Sequence, residues 1–445
     1  MRGRRLAALV LSGVLFAVAA ACGGGGEDAN KSSGTVNLTY RLWDSTQQVG
    51  YQKSIDEFQR RNPNIKVTIQ QMGWADYWTK TIADFAAGTA PDVFWNHVSY
   101  FPQFAAQGVL LNLTPRIKQD NFDTTIYYES LVESYRYDGA QYGIPKDWDT
   151  VALVCDSAAL NKAGVSNPGK LTWATDGSDT LLPFLQKLTV DKNGKNITEA
   201  GFDAGNVQRY GLLANNTLQQ GWGAWAVGNG GSLMDKSYGK LTLDSPQAIQ
   251  GIQAYVDLVT KYRVAPPGSQ TNNRDSDLAQ FLASGQVACV TAGDWQLSAL
   301  TKQSSTSLTI LPPPSGPNGS VSAFNGLADS ITARSKHPQE AWELVKWLGS
   351  LDSQKIIGSG GYAWPAIKSI DNTFVEYWKT KKLDVQPYLD AAQGKTFSYP
   401  LTRGWNGAQI ELDKYFNQIF TGQLSVAEGV PQAVRQANEA IRQAG

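Results

Sequence analysis

The stretch Val36-Asn-Leu-Thr-Tyr-Arg-Leu42 alternates apolar and polar residues, and it opens the run that decides the fold. Val36, Leu38, Tyr40 and Leu42 point one way and Asn37, Thr39 and Arg41 the other, the two-residue period of a β-strand. Tyr51, Ile55 and Phe58 then recur at helical spacing until Asn62-Pro63 stops them. Ile65, Val67 and Ile69 alternate again. Trp78, Ile82 and Phe85 share a second helix face, closed by Gly88, and Pro91-Asp-Val-Phe-Trp95 reads as a third strand. Strand, helix, strand, helix, strand predicts an α/β layer architecture with parallel pairing.

The same pattern returns downstream. Ser245-Pro246 caps a helix whose Ile249, Ile252, Val256 and Val259 form one face, with proline at the first helical position. Pro338 opens a helix that turns Ala341, Trp342, Val345 and Leu348 inward and ends at Gly349. The last helix begins with the capping pair Ser425 and Glu428 and buries Val426, Val430, Val434 and Ile441.

Upstream of Val36 the chain carries a different signal. Arg2, Arg4 and Arg5 precede an apolar run from Leu6 to Ala21, which stops at small residues before Cys22. A charged start, a short apolar core and small residues mark a secretory signal. The run is about 16 residues, short of the ~20 of a membrane-spanning helix. The cysteine makes the site resemble a lipobox, with Ala19 where leucine is usual; an ordinary signal peptide is the alternative. Residues 1–21 are thus the signal. Residues 22–34, glycine-rich and polar, are a flexible tether from the lipidated Cys22.

Composition removes several classes. Lys+Arg and Asp+Glu both number 39, and no basic cluster survives past the signal, so nucleic acid is not expected. No phosphate loop, HExxH or CxxC occurs, and no cofactor or metal is expected. Cys155 and Cys289 lie in apolar, β-branched surroundings, as a disulfide or as buried free thiols. Asp147 and Asp149 flank Trp148, but carboxylates two apart on a strand lie on one side of any ligand, which suits hydrogen bonding to hydroxyls better than glycoside cleavage.

The 14 tryptophans are the compositional excess. Trp43, Trp74, Trp95, Trp222, Trp225 and Trp295 fall where strands end or loops begin, as do Trp148, Trp364 and Trp405. Many have polar company, as in Trp95-Asn96-His97, Asp294-Trp295 and Arg403-Gly-Trp405. Flat aromatic walls edged with placed polar groups suit sugars, which have apolar ring faces and a rim of hydroxyls.

Ordered segments then resemble the extracellular solute-binding proteins of bacterial ABC importers, the carbohydrate-binding group that includes maltose-binding protein. They are Glu57-Phe-Gln-Arg-Arg-Asn-Pro63, Ala86-Ala-Gly88-Thr-Ala-Pro91-Asp-Val-Phe94, Gly108-Val-Leu-Leu-Asn-Leu-Thr114 and Asp138-Gly-Ala-Gln-Tyr-Gly143-Ile-Pro145, followed by Gly293-Asp-Trp295 and Ser335-Lys-His-Pro-Gln-Glu-Ala341-Trp. Leu153-Val-Cys155-Asp156 departs from the usual Tyr-Asn.

The resemblance implies a two-lobed, type II periplasmic-binding-protein-like clamshell with hinge-linked α/β lobes. One lobe would be 35–150 plus 325–370 and the other 151–324 plus 371–445, with crossings near Asp149–Ala152, Ser322–Leu327 and Pro365–Ile370. Asp44, Trp74, Trp95 and Asn96 would face the cleft from the first lobe, with Asp149 at the first crossing and Asp147 beside it. Trp295 and Trp405 would stack on ligand from the second lobe, with Trp222, Trp225, Asp294, Asn325, Trp364 and Arg403 as further contacts. The implied function is capture of a mono- or oligosaccharide and delivery to a membrane permease, by a monomer held outside the cell by lipid. No reaction is expected. The rivals are the same fold with a peptide, polyamine or phosphodiester, and a lipid-anchored glycoside hydrolase.

Overall fold

The computed structural model describes residues 34–176, 178–237, 239–272 and 277–444. Cys22, the signal and the tether up to residue 33 lie outside them. The described chain opens with β1 (Val36–Leu42), α1 (Ser45–Arg61), β2 (Ile65–Gln71), α2 (Trp74–Ala87) and β3 (Val93–His97), in the order that the periodicity predicts. β1 pairs in parallel with both β2 and β3. Helices cover both faces of such a sheet, so the polar face of β1 passes from exposed Asn37 through half-buried Thr39 to a buried end. Arg41 is buried and meets Asp84 at 2.7 Å. Gly88 ends α2 at φ 72°, a left-handed cap that a β-carbon would strain.

Two long strands organise the rest. β4 (Ile144–Asp156) pairs at its C-terminal half with β6 (Val287–Gly293), which runs parallel to β5 (Val207–Leu213). β7 (Gly319–Ile331) pairs antiparallel with β4 and, at its C-terminal half, with β3. The main sheet therefore runs β2-β1-β3-β7-β4-β6-β5, with the short strand Val190–Asp191 at the far edge. At ~3.3 Å per residue, a strand of 13 residues spans about 40 Å, enough to serve two cores.

Two cores are what the chain builds. The first gathers Tyr40, Phe58, Trp95 and Trp342, the last on the helix α3 (Pro338–Leu348). The second gathers Leu185, Ile252, Phe416 and Val434. Helices Pro246–Thr260, α4 (Trp405–Phe420) and α5 (Val426–Gln443) supply most of its cover. The caps fall where the sequence puts them: Ser245 accepts from the Ala248 N–H and Ser425 from the Glu428 N–H.

Phe374, Trp378, Tyr388 and Leu389 pack in the first core, and so do Leu282, Val287, Leu297 and Ile310. A short strand, β8 (Lys395–Phe397), lies parallel to β7 at Val321–Ala323. Of the two readings of the cysteines, the structure shows one: Cys155 and Cys289 are directly opposed on β4 and β6 and form a disulfide.

Candidate functional site

Loops after two parallel pairs of strands, β1 with β3 and β5 with β6, converge on one cavity. Trp43 and Asp44 follow β1, Ser99 follows β3, Asn215 to Gln220 follow β5, and Asp294 to Gln296 follow β6; all line a space of about 920 Å³. Ligands of open α/β sheets bind outside the carboxyl ends of the strands, and here two such sets of ends face one space. Its floor is the middle of β4, with Asp147, Trp148 and Asp149, and one wall is α4 from Trp405 to Asn417.

A bulge shapes that floor. Leu327 pairs with Asp147 but Ala328 pairs with Pro145, so Lys146 has no partner across the strand. The extra residue bends the strand and re-aims its side chains. Lys146 is buried, ion-paired to Asp147, with its ammonium 3.9 Å from the Trp95 ring. The other oxygen of Asp147 accepts the Leu327 N–H at 3.0 Å.

Residues 53–384 match the model of the bacterial extracellular solute-binding proteins. The chain belongs to that family. Among relatives, a galactooligosaccharide-binding protein of Bacillus subtilis is 24% identical over 357 residues, which cover 79% of this chain and 78% of its own. A probable ABC transporter-binding protein of Deinococcus radiodurans is 26% identical over 234 residues, 52% of each chain, so the match spans about half of that relative. The crystal structure of M. tuberculosis UspC is 29% identical, with a TM-score of 0.73, and covers 91% of this chain and 100% of that one. The fold is that of the two-lobed periplasmic binding proteins.

In this solute-binding protein, nine of the expected residues come together at the cavity. Asp44, Asp147, Asp149 and Asp294 line it, with Trp74, Trp222, Trp295, Trp364 and Trp405. Trp74 is 46% exposed and packs edge-on to Trp43. Trp295 is half-buried. The others are seated in the walls: Trp222 stacks on Phe416 at 4.3 Å, Trp364 packs tilted against Trp148 at 4.5 Å, and Trp405 meets Tyr399 edge-on.

Five expected residues do not line it. Trp95 is fully buried and donates through Nε1 to Tyr40, whose hydroxyl donates to Asp329 at 2.7 Å. Asn96 donates to Ser330 at 3.1 Å, two residues along the paired strand β7 from its own partner Ala328. Trp225 stacks on Trp173 inside the second core. Asn325 sits behind the floor, accepting the Tyr399 N–H at 3.2 Å. Arg403 is exposed, one turn short of the cavity wall. Asp44 serves the fold first: its Oδ1 caps α1, accepting from the Thr46 and Gln47 N–H groups.

The sequence reading missed others. His97 lines the cavity, and its Nδ1 accepts the Ser99 N–H at 3.2 Å, which puts the proton of the neutral ring on Nε2. Burial holds its pKa down at about 3. Gln219 donates to Asp149 at 2.6 Å and Gln220 to Gln296. The amide-rich run Asn215-Asn-Thr-Leu-Gln-Gln220 after a strand was the signal that could have found them.

The carboxylates are strongly perturbed. Burial, then the charge of Asp147, pushes Asp149 up to about 8. Burial, then Asp149 and Asp147, pushes Asp294 well above the usual carboxylate range. Burial also raises Asp44 and Asp147, with Lys146 pulling both back. The arrangement offers directional acceptors between flat apolar faces, and no pair of carboxylates stands free of this shared network.

Proposed function

We propose that this chain captures a carbohydrate in the cavity and hands it, unreacted, to the permease of an ABC importer. The carrying observation is that five carboxylates and seven tryptophans, scattered between Trp43 and Asp413, line one cavity of about 920 Å³. Tryptophan faces would cover the apolar side of a sugar ring, and carboxylate and amide groups would take its hydroxyls. The name of the Bacillus subtilis relative supports an oligosaccharide.

β4, β7 and β8 would act as the hinge between two lobes. A ligand touched from both sides favours the closed state in proportion to the contacts made only there. Cys22 would hold the protein by lipid at the outer face of the cytoplasmic membrane, as a monomer.

The test is a thermal-shift screen of residues 34–445 against mono-, di- and oligosaccharides, with peptides, polyamines and glycerophosphodiesters as controls. A saturating ligand at 100 times its Kd stabilises by about 2.7 kcal/mol. Shifts confined to the controls would overturn the sugar. Release of a product from a glycoside would overturn pure binding.

A further inference from the structure

The charge around the cavity is one-sided. Asp44, Asp147, Asp149, Asp294 and Asp413 line it, and among the described residues no Lys or Arg does. Asp44 and Asp147 are compensated. Lys146 pairs with Asp147 from behind the floor. Asp44 sits at the N-terminus of the 17-residue α1, where the helix dipole favours a negative charge.

Asp149 and Asp294 have only neutral partners. Asp149 accepts from the Gln219 amide at 2.6 Å, and Asp294, 3% exposed, accepts from the Trp295 N–H at 3.0 Å. A half-buried and a buried carboxylate, with no described Lys or Arg on the cavity side and only Lys146 behind the floor, are costly to ionise. Arg403, the one basic residue among the contacts that the resemblance implies, lies outside the lining.

We propose that the ligand supplies the missing charge: the cavity selects an aminated saccharide, whose ammonium group lies between Asp149 and Asp294. The inference rests on the reading of the cavity as a saccharide site. An ammonium there makes charge-assisted hydrogen bonds to both carboxylates, and tryptophan walls add cation–π attraction. The walls also decide against an acyclic polyamine. Trp43, Trp74 and Trp295, the lining tryptophans that keep exposed surface, offer flat faces that match rings, and an acyclic chain has no ring to present.

The experiment is calorimetry at pH 7 and low ionic strength on saccharides that differ only in the amino group. The pairs are glucosamine against glucose, galactosamine against galactose, and the β-1,4-linked glucosamine dimer against cellobiose, with N-acetylated forms and spermidine alongside. The aminated member of the best-bound pair is expected to bind at least about tenfold tighter, and the preference to shrink as salt is added. In Asp149→Asn and Asp294→Asn the ratio moves toward one. Equal or tighter binding of the neutral or N-acetylated member overturns the inference and leaves the saccharide reading standing. Spermidine binding tighter than every aminated saccharide overturns it in favour of a polyamine. Binding of none of these compounds removes the saccharide reading and the inference together. The wild-type comparison decides the matter even if a variant fails to fold.

Discussion

Raising the pH from about 6.5 to about 8 should destabilise this protein, and the carboxylates of the cavity floor set the size of the effect. An unfolded aspartate titrates near 3.9, so over that window the unfolded chain has released these protons. Folded Asp149, held up to about 8 chiefly by burial and then by the charge of Asp147, keeps its own. Folded Asp329, held up to about 7 by burial, keeps its own over the first part. The folded state binds more protons, so its stability falls as the pH rises, by about 1.4 kcal/mol per pH unit per proton. Over ~1.5 units Asp149 accounts for about 2 kcal/mol, and Asp329 adds under about 1 kcal/mol.

Asp294 acts in the same direction, and it shares charge with Asp149, so the two titrate as a unit. Lys146 opposes the shift of Asp149, and Gln219 and Asn325 oppose it by hydrogen bonding to the ionised form. His97 works the other way. Its folded pKa of about 3 means that only the unfolded chain gains this proton below about 6.5, so stability is lost there as the pH falls. The window therefore opens near 6.5. Urea unfolding followed by tryptophan fluorescence at constant ionic strength, at pH 6.5 and 8, measures the difference. The double variant Asp149→Asn/Asp294→Asn should flatten it. Wild-type stability that holds level or climbs across the window would refute the reasoning.

Other expectations are narrower. Trp295→Ala should weaken saccharide binding by about tenfold, about 1.4 kcal/mol, with unfolding unchanged, because Trp295 is half-buried at the cavity wall; calorimetry and a melting curve check both halves. Trp405→Ala should also cost about 3–5 kcal/mol of stability, since Trp405 is 1% exposed, and a denaturation curve reads it. Cys155→Ala/Cys289→Ala should lose about 2–5 kcal/mol, because the bond closes a separation of 134 residues; a variant as stable as wild type would rule that out. Cys22→Ser should release the protein from the membrane fraction, read by blotting, and retention would point to another anchor.

How much of this could be read from the chain follows from what each feature depends on. The run from Val36 to Trp95 gave up its strands and helices because its apolar residues keep strict periods of two and three to four. Caps at Ser245, Gly349 and Ser425 were legible for the same reason: each depends on residues within a few positions. The aromatic and acidic character of the site was legible in composition and in short groupings such as Asp147-Trp148-Asp149. The resemblance of ordered segments supplied the family, which the match over residues 53–384 bears out.

The choice among equals was not legible. Trp95 and Trp74 both stand at element ends with polar neighbours, yet one is sealed in the core against Tyr40 and the other is 46% exposed at the cavity. Trp222 and Trp225, three apart, part company in the same way, one at the cavity and one against Trp173.

What the sequence by itself determined is the local alternation of strand and helix, the export signal as an expectation, and the kind of chemistry available. What only the tertiary structure decided is which side chains meet: Asp149 with Gln219 across 70 positions, Cys155 with Cys289 across 134, and the absence of any Lys or Arg from the lining among the described residues. The physical reason is that periodicity and capping are set by neighbours along the chain. Burial, charge compensation and cavity shape are set by neighbours in space, and those exist only once two cores have folded around the same long strands.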